Sequence, residues 1–245
     1  MTNGNGKLTG NLILDCVDER TRAVLLAHVS ERTLVPGQDL FVPGETMTRV
    51  LFPSSGVASL LARMRDGNTI EVATIGREGI VGLPVLLNGG WAGNIEAVCQ
   101  VRGQAMEMSA EDLDRLARAE ASFMDMLLRY SQALFVQLMQ AAACHGLHSV
   151  SQRMARWLLQ TRDRMLEDEL PLTHQMLADM IGTRRASVTE VAGRLRSDGL
   201  IHHSRGRVSI VDRHGLERIA CECYEVVRAE YERLSLAPEP EGVGA

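Results

Sequence analysis

Residues 172–201 constrain the fold of this chain more than any other segment. Their sequence is LTHQMLADMIGTRRASVTEVAGRLRSDGLI, in which Gly182 separates two short amphipathic stretches. Apolar residues recur at helical spacing in both stretches, and glycine permits the tight turn between them. The pattern predicts a helix-turn-helix, with Thr173 as the N-cap of the first helix and the second helix over residues 184–197.

The exposed positions of this motif are polar and basic, which favours a nucleic-acid partner. Side chains near the amino end of a recognition helix reach base edges in the major groove, and arginine suits a bidentate contact to guanine. Side chains farther from the groove contact phosphates, which fix position rather than sequence. The candidate DNA-binding residues are Thr173, His174, Arg184, Arg185, Ser187, Thr189, Glu190, Arg194, Arg205 and Arg207.

The next segment, residues 199–212, has the pattern of a β-hairpin. Two apolar runs flank the turn sequence SRGR, which is typical of the wing of a winged helix. Between residues 171 and 214, seven arginines stand against four acidic residues, in a chain of formal net charge −5. A local basic patch on an acidic protein favours DNA binding. The alternative is a sensor or adaptor protein whose winged helix contacts only proteins.

Short apolar runs alternate with glycine turns over residues 33–108, which predicts a small antiparallel barrel or sandwich. A short helix capped by Asp18 is expected over residues 18–29. The polar segments 1–11 and 236–245 are predicted to be mobile tails.

Residues 109–165 contain no proline and a single glycine, Gly146, which predicts long helices on either side of a boundary near 146–149. The segment 123–144 is apolar on two neighbouring faces, so both faces must be buried. One face can pack on the barrel, and a second copy of the same helix would cover the other. A homodimer is therefore predicted, with a central core helix in a monomer as the alternative. The two faces are formed by Leu127, Leu134 and Ala141 and by Leu128, Phe135, Leu138 and Ala142.

The residues that an enzyme would need are missing from the expected places, so we predict that the protein is not an enzyme. The main rival, a metal-dependent enzyme on a β-barrel, needs imidazole ligands inside the barrel. No histidine lies between residues 29 and 144, and the only lysine is Lys7. No nucleophile elbow, phosphate loop or Cys/His dyad is visible.

The five cysteines are scattered and odd in number, and the amino terminus lacks a secretory pattern, which predicts a cytoplasmic protein with reduced thiols. Cys144 beside His145 is interpreted as part of a packed helix. Cys221 and Cys223 are expected on opposite sides of a carboxy-terminal helix, where they would make a poor zinc pair. The sequence thus predicts no metal site.

Three segments together resemble the Crp/Fnr family of bacterial transcriptional regulators: SQRMARWLL (151–159), the helix-turn-helix stretch and the wing SRGRVSIVD. More weakly, LVPGQDLFVPGE, SSGVASL and DGNTIEVATIGREGIVG resemble the family's cyclic-nucleotide-binding-type β-roll. The resemblance spans roughly residues 33–214. It implies an α+β fold with an amino-terminal antiparallel β-roll (a double-stranded β-helix jelly roll), a long dimerisation helix and a carboxy-terminal winged helix-turn-helix.

The resemblance also implies a domain plan and a function. The β-roll sensor would occupy residues 12–108, the connecting and dimerisation helix 109–147, and the DNA-binding domain 148–235, with its helix-turn-helix core at 172–197 and wing at 199–212. Such a protein would regulate transcription as a homodimer on double-stranded DNA with a palindromic operator. Contact with RNA polymerase, and the choice between activation and repression, are left open.

By resemblance, Arg185 stands where the family places a guanine-reading arginine. Ala186 and Glu190 depart from the cyclic AMP receptor branch of the family, so the operator is expected to differ from that branch's site.

The expected effector pocket departs from the family pattern, so cyclic AMP is not expected as the effector. Gly82 is followed by Leu83 instead of glutamate, and residues 91–94 hold no arginine to pair with a cyclic phosphate. Arg77 and Glu78 are interpreted as parts of an exposed turn. Neither an iron–sulfur cluster, which needs four clustered thiolates, nor haem is expected.

Overall fold

The structure, a computed structural model, describes residues 8–165, 168–204 and 206–233. Its first half is an antiparallel β-roll, as predicted. The roll contains β1 (Val29–Leu34), β2 (Asp39–Phe41), β3 (Arg49–Pro53), β4 (Val57–Arg63), β5 (Thr69–Ile75), β6 (Ile95–Val101) and β7 (Gly103–Ser109). One sheet has the order β1-β7-β3 and the other β2-β6-β4-β5.

Apolar side chains fill the space between the two sheets. Leu51, Ile75, Ala97 and Cys99 are buried together there. Because burial of apolar surface is the main favourable term in folding, this interior acts as a packed core that holds the two sheets together.

Two short helices precede the roll, α1 (Leu12–Cys16) and α2 (Glu19–Leu26). Asp18 caps α2 as predicted, but the helix ends earlier than residue 29 because Val29 already pairs with Met108 in β1. The prediction of a mobile tail over residues 1–11 is wrong at its last residue, because Asn11 is fully buried. Its side-chain amide donates to the carbonyl oxygens of Pro53 and Gly79, as a buried polar group requires. Residues 1–7 lie outside the described ranges.

The predicted single helix over residues 109–147 is two helices, α4 (Ala110–Ala119) and α5 (Ala121–Leu147), and a short helix α3 (Pro84–Asn88) lies between β5 and β6. Ser109 caps α4, and Glu120 adopts an extended conformation that ends it. The break allows Leu113 of α4 and Phe123 and Leu127 of α5 to enter the same core. Neither proline nor glycine marks this break in the sequence.

The second half of the chain is a winged helix-turn-helix, as predicted. Its elements are α6 (Val150–Met165), β8 (Glu169–Leu170), α7 (His174–Met180), α8 (Arg185–Ser197), β9 (Ile201–Ser204), β10 (Arg207–Ile210), α9 (Arg213–Ile219) and α10 (Cys223–Arg233). Val188, Val191 and Leu195 are buried on one face of α8, at the spacing expected from the sequence. The wing is a three-stranded sheet, β8-β10-β9, whose first strand the sequence did not indicate.

The described ranges contain no helix that is both long enough and apolar enough to cross a membrane.

Candidate nucleic-acid interface

Local interactions fix the helix-turn-helix geometry. The Thr173 hydroxyl accepts from the backbone N–H of Met176 and so caps α7, with an oxygen–nitrogen distance of 3.2 Å. Gly182 adopts a φ of +61°, a conformation that side chains with a Cβ rarely take, and it turns the chain from α7 into α8. The turn leaves Arg184 as the N-cap of α8 and Arg185 as its first residue.

Arg184 and Arg185 are the side chains best placed to meet DNA. Both are exposed, and among the described residues neither guanidinium group makes a hydrogen bond or an ion pair. Glu190 and Arg194 are also exposed and lie 3.8 Å apart as an i,i+4 pair. An exposed pair of this kind contributes little to stability, so both groups are free to exchange partners on DNA.

Two of the predicted DNA-binding residues, His174 and Thr189, make contacts inside the domain. The Nδ1 atom of His174 lies 3.0 Å from the Thr189 hydroxyl, and its ring stacks on His203 of the wing with centroids 4.2 Å apart. Desolvation lowers the pKa of His174, and the nearby His203 and Arg185 lower it further. His174 therefore connects α7, α8 and the wing. Thr189 also donates to the carbonyl oxygen of Arg185 at 3.0 Å.

Other members of the predicted site have separate environments. Ser187 is half-buried beside the exposed start of α8. Arg207 pairs with Glu169 of β8, a partner that sequence reasoning missed because β8 is only two residues long. Arg213, counted in the basic excess, pairs with Asp163 at 2.6 Å and faces the domain interior. Arg205 lies outside the described residues.

The helix α6 joins the winged helix to the β-roll through buried polar contacts. The Trp157 indole donates to a carboxylate oxygen of Glu71 at 2.7 Å, and Ser59 also bonds that carboxylate. The Arg164 guanidinium donates to Glu78 at 2.6 Å. The interpretation of Arg77 and Glu78 as an exposed turn is wrong for Glu78, which is 2% exposed because Arg164 covers it.

The roll offers no buried cation for a cyclic phosphate. Across residues 29–109, which the structure describes as a continuous chain, no arginine is buried, whereas Glu71, Glu78 and Glu96 are. Glu96 is held by Arg63, an exposed residue at the end of β4.

The apolar face of α5 that was predicted to meet a second copy is open to solvent in the single chain. Leu128, Phe135 and Met139 are large apolar residues that are about half exposed or more. On the neighbouring face Leu127 and Leu134 are buried in the core beneath the helix, and Leu138, which was predicted on the open face, also packs against that core.

Sequence reasoning missed a group of potential metal ligands near the end of α5. Cys144, His148, Cys221 and Cys223 place their ligand atoms within 4.8 Å of one another. The expectation that Cys221 and Cys223 diverge across a helix is wrong, because Cys221 precedes α10 and only Cys223 belongs to it. The spacing of Cys144 and His148, four residues apart at a helix end, was the available signal.

Comparison with protein families identifies both halves of the chain. Residues 31–120 match the model of the cyclic nucleotide-binding domain, and residues 152–219 match the Crp-like helix-turn-helix domain. Together these matches cover the β-roll and the winged helix.

The chain is similar in sequence to curated regulators and in fold to solved structures. A global nitrogen regulator of Synechococcus elongatus is 25% identical over 184 residues, which cover 71% of this chain and 82% of that protein. The global nitrogen regulator of Synechocystis is 24% identical over 213 residues, covering 83% and 93%. The c-di-GMP responsive global regulator CLP of Xanthomonas campestris superposes with a TM-score of 0.65 at 21% identity, covering 79% of this chain and 99% of CLP. FixK2 from Bradyrhizobium japonicum superposes with a TM-score of 0.67 at 14% identity, covering 79% and 98%.

Proposed function

Since the chain belongs to the Crp/Fnr family and is a DNA-binding transcriptional regulator, we propose that it acts as a homodimer on a two-fold symmetric operator. Each α8 would enter the major groove of one half-site. The two half-sites would then lie about one helical turn apart (~34 Å). This function needs no catalytic residues, and it is exercised where bacterial DNA lies, in the cytoplasm.

The observation that carries the proposal is the exposure of the Arg184 and Arg185 side chains at the start of α8. They stand exposed and unpaired, within the described residues, at the amino end of a helix whose opposite face is buried. Arginines in this position can give two parallel hydrogen bonds to a guanine without first breaking an internal ion pair. Arg194 and Arg207 would add phosphate contacts after exchanging their exposed partners Glu190 and Glu169.

The exposed apolar side of α5 supports the homodimer. Leu128, Phe135 and Met139 follow one side of the helix at steps of seven and four residues. These steps are those of a coiled-coil seam, in which a second copy of the helix covers the same positions. A two-fold axis along α5 would also give the winged helices the symmetry of a palindromic site.

We propose further that any effector of the roll is not cyclic AMP, and that neither haem nor an iron–sulfur cluster is bound there. No arginine of residues 29–109 is buried, so a cyclic phosphate placed in the roll would find no buried cation to offset its charge. The same charge argument disfavours c-di-GMP within the roll.

The test is selection of binding sites from random duplex DNA by the purified protein, followed by affinity measurements on the selected site. Arg185→Ala should weaken binding to that site by about 1–3 kcal/mol and relax base choice at one position of each half-site. Arg102→Ala is the control, because Arg102 is exposed in the roll and distant in sequence from the helix-turn-helix.

Enrichment of a symmetric motif, together with an affinity that falls steeply with salt, would establish the proposed mode of binding. Each phosphate contact contributes about −0.9 to the slope of log affinity against log salt concentration. Unchanged affinity and base preference in Arg185→Ala would overturn α8 as the reading helix. Absence of any salt-dependent binding would leave the winged helix as a protein-contact module.

A further inference from the structure

Three thiols and one imidazole converge at the hinge between α5 and α6. Cys144 lies in the last turn of α5, and His148 is the C-cap residue of that helix. Cys221 lies in the short link between α9 and α10, and Cys223 is the first residue of α10. The four residues come from two segments more than seventy residues apart, so only the tertiary fold assembles them.

The distances within the group fit a tetrahedral metal site. The sulfur atoms of Cys144 and Cys221 are 3.5 Å apart, and so are the sulfur of Cys223 and Nδ1 of His148. In a tetrahedral zinc site with Zn–S bonds of about 2.3 Å, neighbouring ligand atoms are ~3.8 Å apart. All four ligand atoms already lie within 4.8 Å of one another, so small side-chain rotations suffice to close the shell.

The surroundings of the group also suit a metal. While Nδ1 of His148 faces the thiols, its Nε2 lies 3.3 Å from a carboxylate oxygen of Glu222. A carboxylate on the far nitrogen of a histidine ligand fixes the ring and raises its basicity. The three cysteines are buried, whereas Glu222 is exposed, so an ion has a polar route to the site from solvent.

A positive charge nearby offsets the charge of the thiolates. Three thiolates, one neutral imidazole and Zn²⁺ carry a net charge of −1. The guanidinium of Arg156 is buried, and its Nε has no hydrogen-bond partner among the described atoms.

We propose that Cys144, His148, Cys221 and Cys223 bind one Zn²⁺ ion per protomer. Three soft thiolates with one imidazole form a Cys₃His donor set that selects zinc over magnesium or calcium. On binding, each thiol that is still protonated releases its proton to solvent, and the zinc remains divalent throughout.

The ion would fix the hinge. α10 already contacts both sides of it, since the Tyr231 hydroxyl donates to Gln137 of α5 at 2.8 Å and the Tyr224 hydroxyl to Asp163 of α6 at 2.7 Å. Zinc would add a bond from the end of α5 to the start of α10 and so hold the winged helix in one orientation. This second part of the proposal rests on the proposed DNA binding, whereas the metal site itself does not.

The test begins with the metal content of the full-length protein, purified with reductant and dialysed against metal-free buffer. We expect one zinc per protomer. Replacement by Co²⁺ should give the visible d–d bands of a tetrahedral site and thiolate-to-cobalt charge-transfer bands. Cys221→Ser and Cys223→Ser should each lose the bound metal and these bands, and Cys16→Ser is the matched control that should retain both.

Glu222→Gln provides a variant that keeps the fold, because Glu222 is exposed. Loss of this outer carboxylate should weaken zinc affinity by about 10- to 100-fold, measured by competition with a chromophoric chelator. If the reduced wild-type protein binds less than a tenth of an equivalent of zinc, the metal site is refuted. Metal binding that persists in both cysteine variants also refutes the site. So does a protein that binds no zinc when reduced and only forms a Cys144–Cys221 disulfide on mild oxidation.

The hinge effect is measured separately, as the affinity of zinc-loaded and zinc-free protein for the selected operator. We expect the zinc-loaded form to bind several-fold more tightly, and by linkage the operator should raise zinc affinity by the same factor. Equal DNA affinities would overturn the hinge effect. A complete lack of DNA binding would overturn the proposed function while leaving the zinc stoichiometry as an independent result.

Discussion

The contact between the β-roll and α6 should weaken as pH rises, because one of its carboxyl groups is completely buried. Burial raises the pKa of Glu71 to about 7, and the bonds from Ser59 and Trp157 and the charges of Arg156 and Arg164 offset this effect only in part. Below that pKa the group is a neutral acid that satisfies the contact. Above it, a charge must be kept in the seam between β5 and α6.

The sign and size of the effect follow from linkage. The pKa in the folded protein lies above the ordinary value of 4.5, so the folded state binds the Glu71 proton more tightly than the unfolded state does. The resulting stability is complete below pH 4.5 and is lost as pH rises through 7. A difference between 4.5 and about 7 corresponds to ~3 kcal/mol, since each unit is worth about 1.4 kcal/mol.

The assay is urea unfolding of wild type and Glu71→Gln between pH 5 and pH 8, followed by tryptophan fluorescence. Trp157 is one of two tryptophans and contacts the substituted group directly. Glutamine keeps an acceptor for Trp157 but has no charge. Between pH 5 and pH 8, the free energy of unfolding of the variant should therefore fall by about 2–3 kcal/mol less than that of wild type.

Glu96→Gln is the control, because Glu96 is buried in the same roll but forms an ion pair with Arg63 and makes no hydrogen bond to α6 among the described residues. It should leave the Glu71 contribution to the pH dependence in place. If Glu71→Gln loses stability with pH as steeply as wild type, the argument from burial is refuted.

Three further results are expected. Phe135→Asp should convert the dimer to monomers in sedimentation velocity by placing a charge on the apolar face of α5, while Met64→Asp, at an exposed position of the roll, should not. Arg207→Ala should weaken binding to all DNA sequences alike and reduce the steepness of the salt dependence by about one phosphate contact. Gly182→Ala should lower stability by about 1–2 kcal/mol in thermal unfolding because of its positive φ, with an added clash since its Cβ would lie 2.7 Å from Cδ1 of Ile70. In the Gly182→Ala background, Ile70→Ala should recover only the part of the lost stability that is due to the clash.

The sequence predicted the elements whose signals are local. Helical spacing located α8, Asp18 marked the start of α2, and glycine turns indicated the β-roll. The break at Glu120 was not predicted, because it depends on two helices sharing one core and not on a local breaker residue. Periodicity also missed β8, since a two-residue strand exists only through its pairing with β10.

The candidate site was predictable only where it needs no partner from elsewhere in the chain. Arg184 and Arg185 follow from their place in the helix-turn-helix. The engagement of His174 with His203, and of Arg207 with Glu169, depends on pairings between separate elements. The group around Cys144 is the extreme case, because its members join only when α10 folds back on α5.

A different set of long-range contacts converges on α6, and this convergence bears on regulation. From one side the roll holds α6 through the contacts of Glu71 with Trp157 and of Glu78 with Arg164. From the other side α10 packs on it, with the ring of Tyr231 beneath the Arg164 guanidinium. The orientation of the winged helix therefore depends on two sets of contacts with α6, one from the roll and one from α10. A ligand that changes the roll and an ion bound at the hinge would both bias the orientation of the winged helix. By linkage, each would then change the binding free energy of the other.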